Sequence, residues 1–141
     1  RNLMEMMTLN TPVISIFVGE GGSGGALALA VSDRVWMLEN AVYAVLSPEG
    51  FATILWKDAA RCEEACEIMK MTAQDLMGLG VIDEIVLEPE GGAHLAPAIA
   101  IRQVDQALHR QLAELSKKSG TALAAERYEK FRKIGAGKEN T

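Results

Sequence analysis

Apolar residues recur along this chain in two rhythms. Residues 13–18, Val-Ile-Ser-Ile-Phe-Val, are apolar on both sides of a two-residue repeat: Ile14, Ile16 and Val18 against Val13 and Phe17. That predicts a strand covered on both faces, as in a parallel sheet under helices. Residues 34–38 and 41–46, rich in Val, Trp and Tyr and separated by Glu39-Asn40, predict two short strands in succession, and 81–87 predicts another. Helical spacing governs the rest. Residues 1–9 read as the end of an amphipathic helix with Leu3, Met6 and Met7 on one side, and 59–71 places Cys62, Ala65, Cys66 and Met69 on one face. Residues 97–115 carry a stripe of Ile101, Val104, Leu108, Leu112 and Leu115, which is expected to be buried, with His109 on the polar side.

Punctuation sets the boundaries. Thr11-Pro12 ends the first helix, and Ser47-Pro48-Glu49 predicts a helix through Trp56, with Ser47 as cap, Pro48 at the first position and Glu49 in the first turn. A further helix runs from about Thr72 to a closing Gly80. Residues 121–134 predict a last helix with charge on most faces, and 135–141 a frayed end. The fold class is α/β, without the even strand–helix alternation of a dinucleotide domain.

Between the first strand and Ala26-Leu27-Ala28-Leu29-Ala30, five of the seven residues 19–25 are glycine, which predicts a tight loop leading into a helix start. Three chemistries fit it. Gly19-Glu20-Gly21-Gly22-Ser23-Gly24 matches the dinucleotide fingerprint, with Glu39 about 20 residues on as the acidic partner. Gly21-Gly22-Ser23-Gly24-Gly25 matches a nucleophile elbow centred on Ser23. The amides of Gly24 and Gly25 could instead form an oxyanion hole that needs no side chain. The same glycines also suit close packing of helix on strand.

Composition narrows the partners. A chain of 141 residues with 49% hydrophobic and 23% charged residues is one globular unit with a core. Net charge of −5 gives no positive field for nucleic acid or acidic membranes, and no apolar run reaches the length of a membrane span. The protein is expected to be cytoplasmic, with no nucleic-acid or membrane partner. Cys62 and Cys66, the only cysteines, fit no zinc or disulfide framework and read as reduced core thiols. His94, in a Gly-rich loop, reads as solvated. The first residue, Arg1, falls inside a helical pattern, so the chain reads as a processed product or one piece of a larger polypeptide.

Four segments in order carry a resemblance: Gly19 to Ala30; Tyr-Ala-Val-Leu-Ser-Pro-Glu-Gly at 43–50; Ile54-Leu55-Trp56-Lys57; and Glu88-Pro89 with Gly91-Gly92-Ala93-His94. Together they resemble the carboxyltransferase alpha subunit of bacterial acetyl-coenzyme A carboxylase, over about 1–108, and more loosely beyond 115, where mainly Arg127-Tyr128 is retained. The resemblance implies a crotonase-like fold of stacked β-β-α units, with residues 1–116 as its C-terminal part and 117–141 as a terminal helix and tail. It implies transfer of carboxylate from carboxybiotin to acetyl-coenzyme A to give malonyl-coenzyme A, a step of fatty acid biosynthesis. A related acyl-coenzyme A carboxyltransferase or decarboxylase, or a non-catalytic assembly piece, is the alternative.

By the same resemblance, Gly24 and Gly25 supply the oxyanion hole for the biotin oxygen. Gly21, Gly22 and Ser23 are the adjoining biotin-binding residues. Glu49 falls near an acidic residue of enoyl-hydratase relatives, although a helix-start role accounts for it. The implied cofactor is biotin on its carboxyl carrier protein, with no metal bound by this chain. The implied partners are a carboxyltransferase beta subunit and that carrier, in an oligomer.

Overall fold

The computed structural model describes residues 2–136. Strand β1 (Ile14–Phe17) pairs in parallel with β3 (Arg34–Leu38), which pairs in parallel with β5 (Glu84–Val86), giving the order β1-β3-β5. Central β3 forms the heart of the core: Val35, Trp36, Met37 and Leu38 are all buried. Strands β2 (Glu20–Gly22) and β4 (Val42–Ala44) make a second parallel pair, with Gly21 opposite Tyr43. Helix α2 (Ser23–Leu29) follows β2, and α3 (Pro48–Trp56) follows β4. The chain thus makes two successive β-β-α turns, one strand of each in either sheet. Helix α1 (Asn2–Met7) precedes them; α4 (Cys62–Met69), α5 (Ala73–Gly78), α6 (Pro97–Leu115) and α7 (Gly120–Lys133) follow.

Local signals place several elements as expected. Ser47 Oγ accepts the Gly50 N–H at 3.2 Å with Pro48 next to it, so α3 begins where its capping residues stand. Helix α6 spans 97–115 as its periodicity predicts, and Gly80, at φ +70°, closes α5.

The glycine segment departs from expectation, because Glu20–Gly22 is a strand and not a loop, and α2 begins directly at Ser23. A three-residue Glu-Gly-Gly strand has no hydrophobic pattern and low intrinsic β preference; its pairing with β4 decides it. Gly21 is required for a packing reason. A Cβ there would lie 2.2 Å from two ring carbons of Phe17, whose ring stacks on Tyr43 at 4.2 Å.

Three further expectations are corrected. The buried face of α6 is Ala100, Ala107, Gln111 and Leu115, while Ile101 is 68% exposed and Leu112 41% exposed. Ala107 joins the core cluster and Val104 and Leu108 pack partly buried against it, so the middle of the predicted stripe faces inward while Ile101 and Leu112 turn to solvent. Leu115→Ala should therefore cost about 2–4 kcal/mol in a urea titration, and Ile101→Ala less than about 0.5 kcal/mol. Equal costs would contradict this orientation. Cys66 is exposed and Cys62 only half-buried, because Ala65 takes the inward position of α4, so they are free thiols outside the core. Helix α7, predicted with charge on most faces, turns one of those charges inward: Arg127 is buried. The expected fraying of 135–141 and the role of Arg1 fall largely outside the described residues.

Candidate functional site

The carboxyl ends of β2 and β4 lie side by side, and each leads into a helix: β2 into α2 at Ser23, and β4 through Val45 and Leu46 into α3 at Pro48. A cleft of about 470 Å³ opens there, walled by Gly21, Gly22, Ser23, Leu46, Pro48 and Met71 among others. Gly24 and Gly25 follow in the exposed first turn of α2. Helix starts leave their first N–H groups without intrahelical acceptors and carry partial positive charge. Two such starts therefore meet this cleft, an arrangement suited to a negatively charged oxygen.

The glycines differ in what surrounds them. A Cβ on Gly22 or Gly24 would meet no atom within 4 Å, and one on Gly25 only Ser23 Oγ at 3.9 Å. A ligand can approach the backbone through that space. Gly24 and Gly25 have ordinary helical backbone, and the left-handed conformation sits one residue earlier, on Ser23 at φ +63°. Ser23 Oγ accepts the Gly25 N–H at 3.4 Å. Behind the cleft, burial pushes the Tyr43 phenol up, which keeps that ring neutral against Phe17.

A strained serine at a strand-to-helix corner is what a nucleophile elbow would display, but no histidine lines the cleft beside it. His94 lies in a separate depression with Asn40, Glu88 and Glu90, and His109 projects from α6 with its ring hydrogen-bonded to the Asp105 carbonyl at 2.9 Å. The dinucleotide reading also loses its parts. The fingerprint is interrupted by a strand, and the Glu39 carboxylate accepts the Glu88 N–H at 3.2 Å. Leu46, Ser47, Pro48 and Met71 as walls were not anticipated; the parallel pairing of β2 with β4 brings the first three to the glycine segment, and Met71 joins them because its carbonyl accepts the Tyr43 N–H at 3.0 Å.

Residues 1–135 match the profile of a family described as acetyl co-enzyme A carboxylase carboxyltransferase-like. The chain belongs to this family. The acetyl-coenzyme A carboxylase carboxyl transferase subunit alpha of Clostridium botulinum (strain Eklund 17B / Type B) is 54% identical over 134 residues, which is 95% of this chain and 49% of that protein. The chain spans about half the length of the curated relatives it matches. Among solved structures, transcarboxylase 12S gives a TM-score of 0.60 at 22% identity, covering 83% of this chain and 22% of that one. Enoyl-CoA hydratase from Bacillus halodurans gives 0.56 at 15% identity, covering 94% and 55% respectively. The fold is crotonase-like, in agreement with the two β-β-α turns.

Within this carboxyltransferase-like chain, the Glu88-Pro89 and Gly91 to His94 motif lies outside the cleft and fastens the turn that launches β4. The Glu88 carboxylate accepts the Asn40 backbone and side-chain N–H groups at 2.9 and 2.8 Å and the Ala93 N–H at 2.9 Å. The amides of Ala93 and Asn40 hold Glu88 below the usual glutamate range. A carboxyl group whose folded pKa is depressed stabilises the fold above its unfolded value and loses that contribution as pH falls through the folded one. Hydrogen exchange at the Asn40 and Ala93 amides should accelerate, relative to amides of β3, on acidification below the ordinary glutamate range. Glu88→Gln should weaken protection at neutral pH and flatten this dependence; an unchanged profile would contradict the assignment.

Proposed function

We propose that this chain forms the carboxybiotin side of an acetyl-coenzyme A carboxylase carboxyltransferase, the enzyme that converts acetyl-coenzyme A to malonyl-coenzyme A for fatty acid synthesis. The observation that carries the reading is the open space over Gly22, Gly24 and Gly25 where the cleft meets the start of α2, in a chain of this family. That cradle fits a flat ureido ring approaching the backbone, which a Cβ at these positions would obstruct. Biotin, delivered on its carboxyl carrier protein, supplies the carboxyl group and a ring nitrogen able to act as base.

The residues of this chain bind and orient. The amides of Gly24 and Gly25 donate to the ureido oxygen as negative charge gathers there, an interaction worth about 10²–10³ in rate per donor. Gly21 and Gly22 line the approach, and the Gly25 amide, whose contact to Ser23 Oγ is long at 3.4 Å, is free to donate more strongly to a ligand oxygen. In this reading no protein nucleophile is needed. The thioester oxygen is held by a beta subunit, and the working enzyme is an oligomer containing both subunits.

Joining this chain to the other half of its relatives' length, adding a beta subunit and supplying carboxylated biotin carrier should yield malonyl-coenzyme A from acetyl-coenzyme A. An assembled complex that turns over neither free biotin nor the carrier would overturn the reading. Transcarboxylase 12S, solved with methylmalonyl-coenzyme A bound, shares the fold. A preference for propionyl-coenzyme A over acetyl-coenzyme A in the same assay would move the assignment to a related acyl-coenzyme A carboxyltransferase.

A further inference from the structure

Two aspartates occupy equivalent places at the amino edge of the larger sheet, Asp33 just before β3 and Asp83 just before β5. Each makes the same reciprocal pair with the neighbouring strand. Asp33 Oδ2 accepts the Val13 N–H at 2.7 Å while the Asp33 N–H donates to the Val13 carbonyl at 2.9 Å. Asp83 Oδ2 accepts the Val35 N–H at 2.7 Å while the Asp83 N–H donates to the Val35 carbonyl at 2.8 Å. These pairs lock the lateral alignment of β1 on β3 and of β3 on β5.

Both carboxylates are held from one helix. Arg127 donates through Nε to Asp33 Oδ1 at 3.1 Å and through Nη2 to Asp33 Oδ2 at 2.9 Å, and Lys130 Nζ donates to Asp83 Oδ2. Three residues of helix rise about 4.5 Å, and neighbouring strands lie about 4.8 Å apart. The spacing from Arg127 to Lys130 therefore matches the spacing of the strands that carry the aspartates. Arg127 also donates to the carbonyls of Met6, Met7 and Leu9 through Nη1 and of Thr11 through Nη2, so it covers the open end of α1 and the approach to β1.

We infer that α7 is a strap across the amino edge of the sheet: when docked it fixes α1 and the alignments of β1 on β3 and of β3 on β5, β1 being the strand from which the glycine segment continues. Undocking would free those alignments without dismantling the interior of the fold.

Hydrogen exchange followed by NMR on the protein and its Arg127→Lys and Lys130→Met variants tests this. Lysine cannot make both the fork on Asp33 and the contacts to α1. Arg127→Lys should lower protection of the Val13 amide tenfold or more, Lys130→Met should do so at Val35, and amides of α3 and α5 should be unaffected in both. If Arg127→Lys does not fold, the decision rests on Lys130→Met. Unchanged protection at Val35 in that variant, or equal loss throughout the chain, would overturn the strap.

Discussion

Gly25→Val is expected to lower carboxyl transfer by the reconstituted enzyme by a factor on the order of 10² or more, while Ser23→Ala keeps much of the activity. A Cβ at Gly25 meets only Ser23 Oγ, at 3.9 Å, and Gly25 has helical backbone, so the position itself accepts a side chain. The substitution acts by filling the space through which the ligand oxygen reaches the first-turn amides. Thermal stability and assembly of the variant should match the parent, and rates must be compared at equal assembly. Ser23→Ala removes an internal acceptor for the Gly25 amide but no donor to the ligand. Abolished turnover in Ser23→Ala alongside intact turnover in Gly25→Val would exclude the oxyanion hole and restore Ser23 as a nucleophile.

The largest effect on stability should come from Arg127→Leu, at about 3–5 kcal/mol. The side chains of Arg127 and Asp33 are 0% and 4% exposed, so leucine leaves a carboxylate buried without its cation. It also strips the donors from four backbone carbonyls between Met6 and Thr11. Adding Asp33→Asn should recover part of the loss, since an uncharged amide is cheaper to leave without a cation. Urea denaturation of the two single variants and the double variant measures this; a loss below about 1 kcal/mol for Arg127→Leu would mean that the pair is hydrated in solution.

Short-range chemistry is legible in the residues alone. Ser47-Pro48 holds the start of α3, the apolar repeat and Pro97 hold the extent of α6, and the Val-Trp-Met-Leu run of β3 declares a buried strand, because the deciding residues lie within a turn or two of each other. The glycine-rich and Glu88 to His94 motifs likewise carried the family. The remaining features depend on contacts between distant segments. Glu20–Gly22 is a strand because β4, with Tyr43 opposite Gly21, offers it a partner from the next β-β-α turn. The face of α6 was set by which residues the core takes up, Ala107 fully and Val104 and Leu108 in part, and no period distinguishes two neighbouring stripes that both contain apolar residues. The inward turn of Arg127 depended on Asp33, 94 residues away, since a guanidinium is buried only where a carboxylate and enough carbonyls have already been gathered to satisfy it.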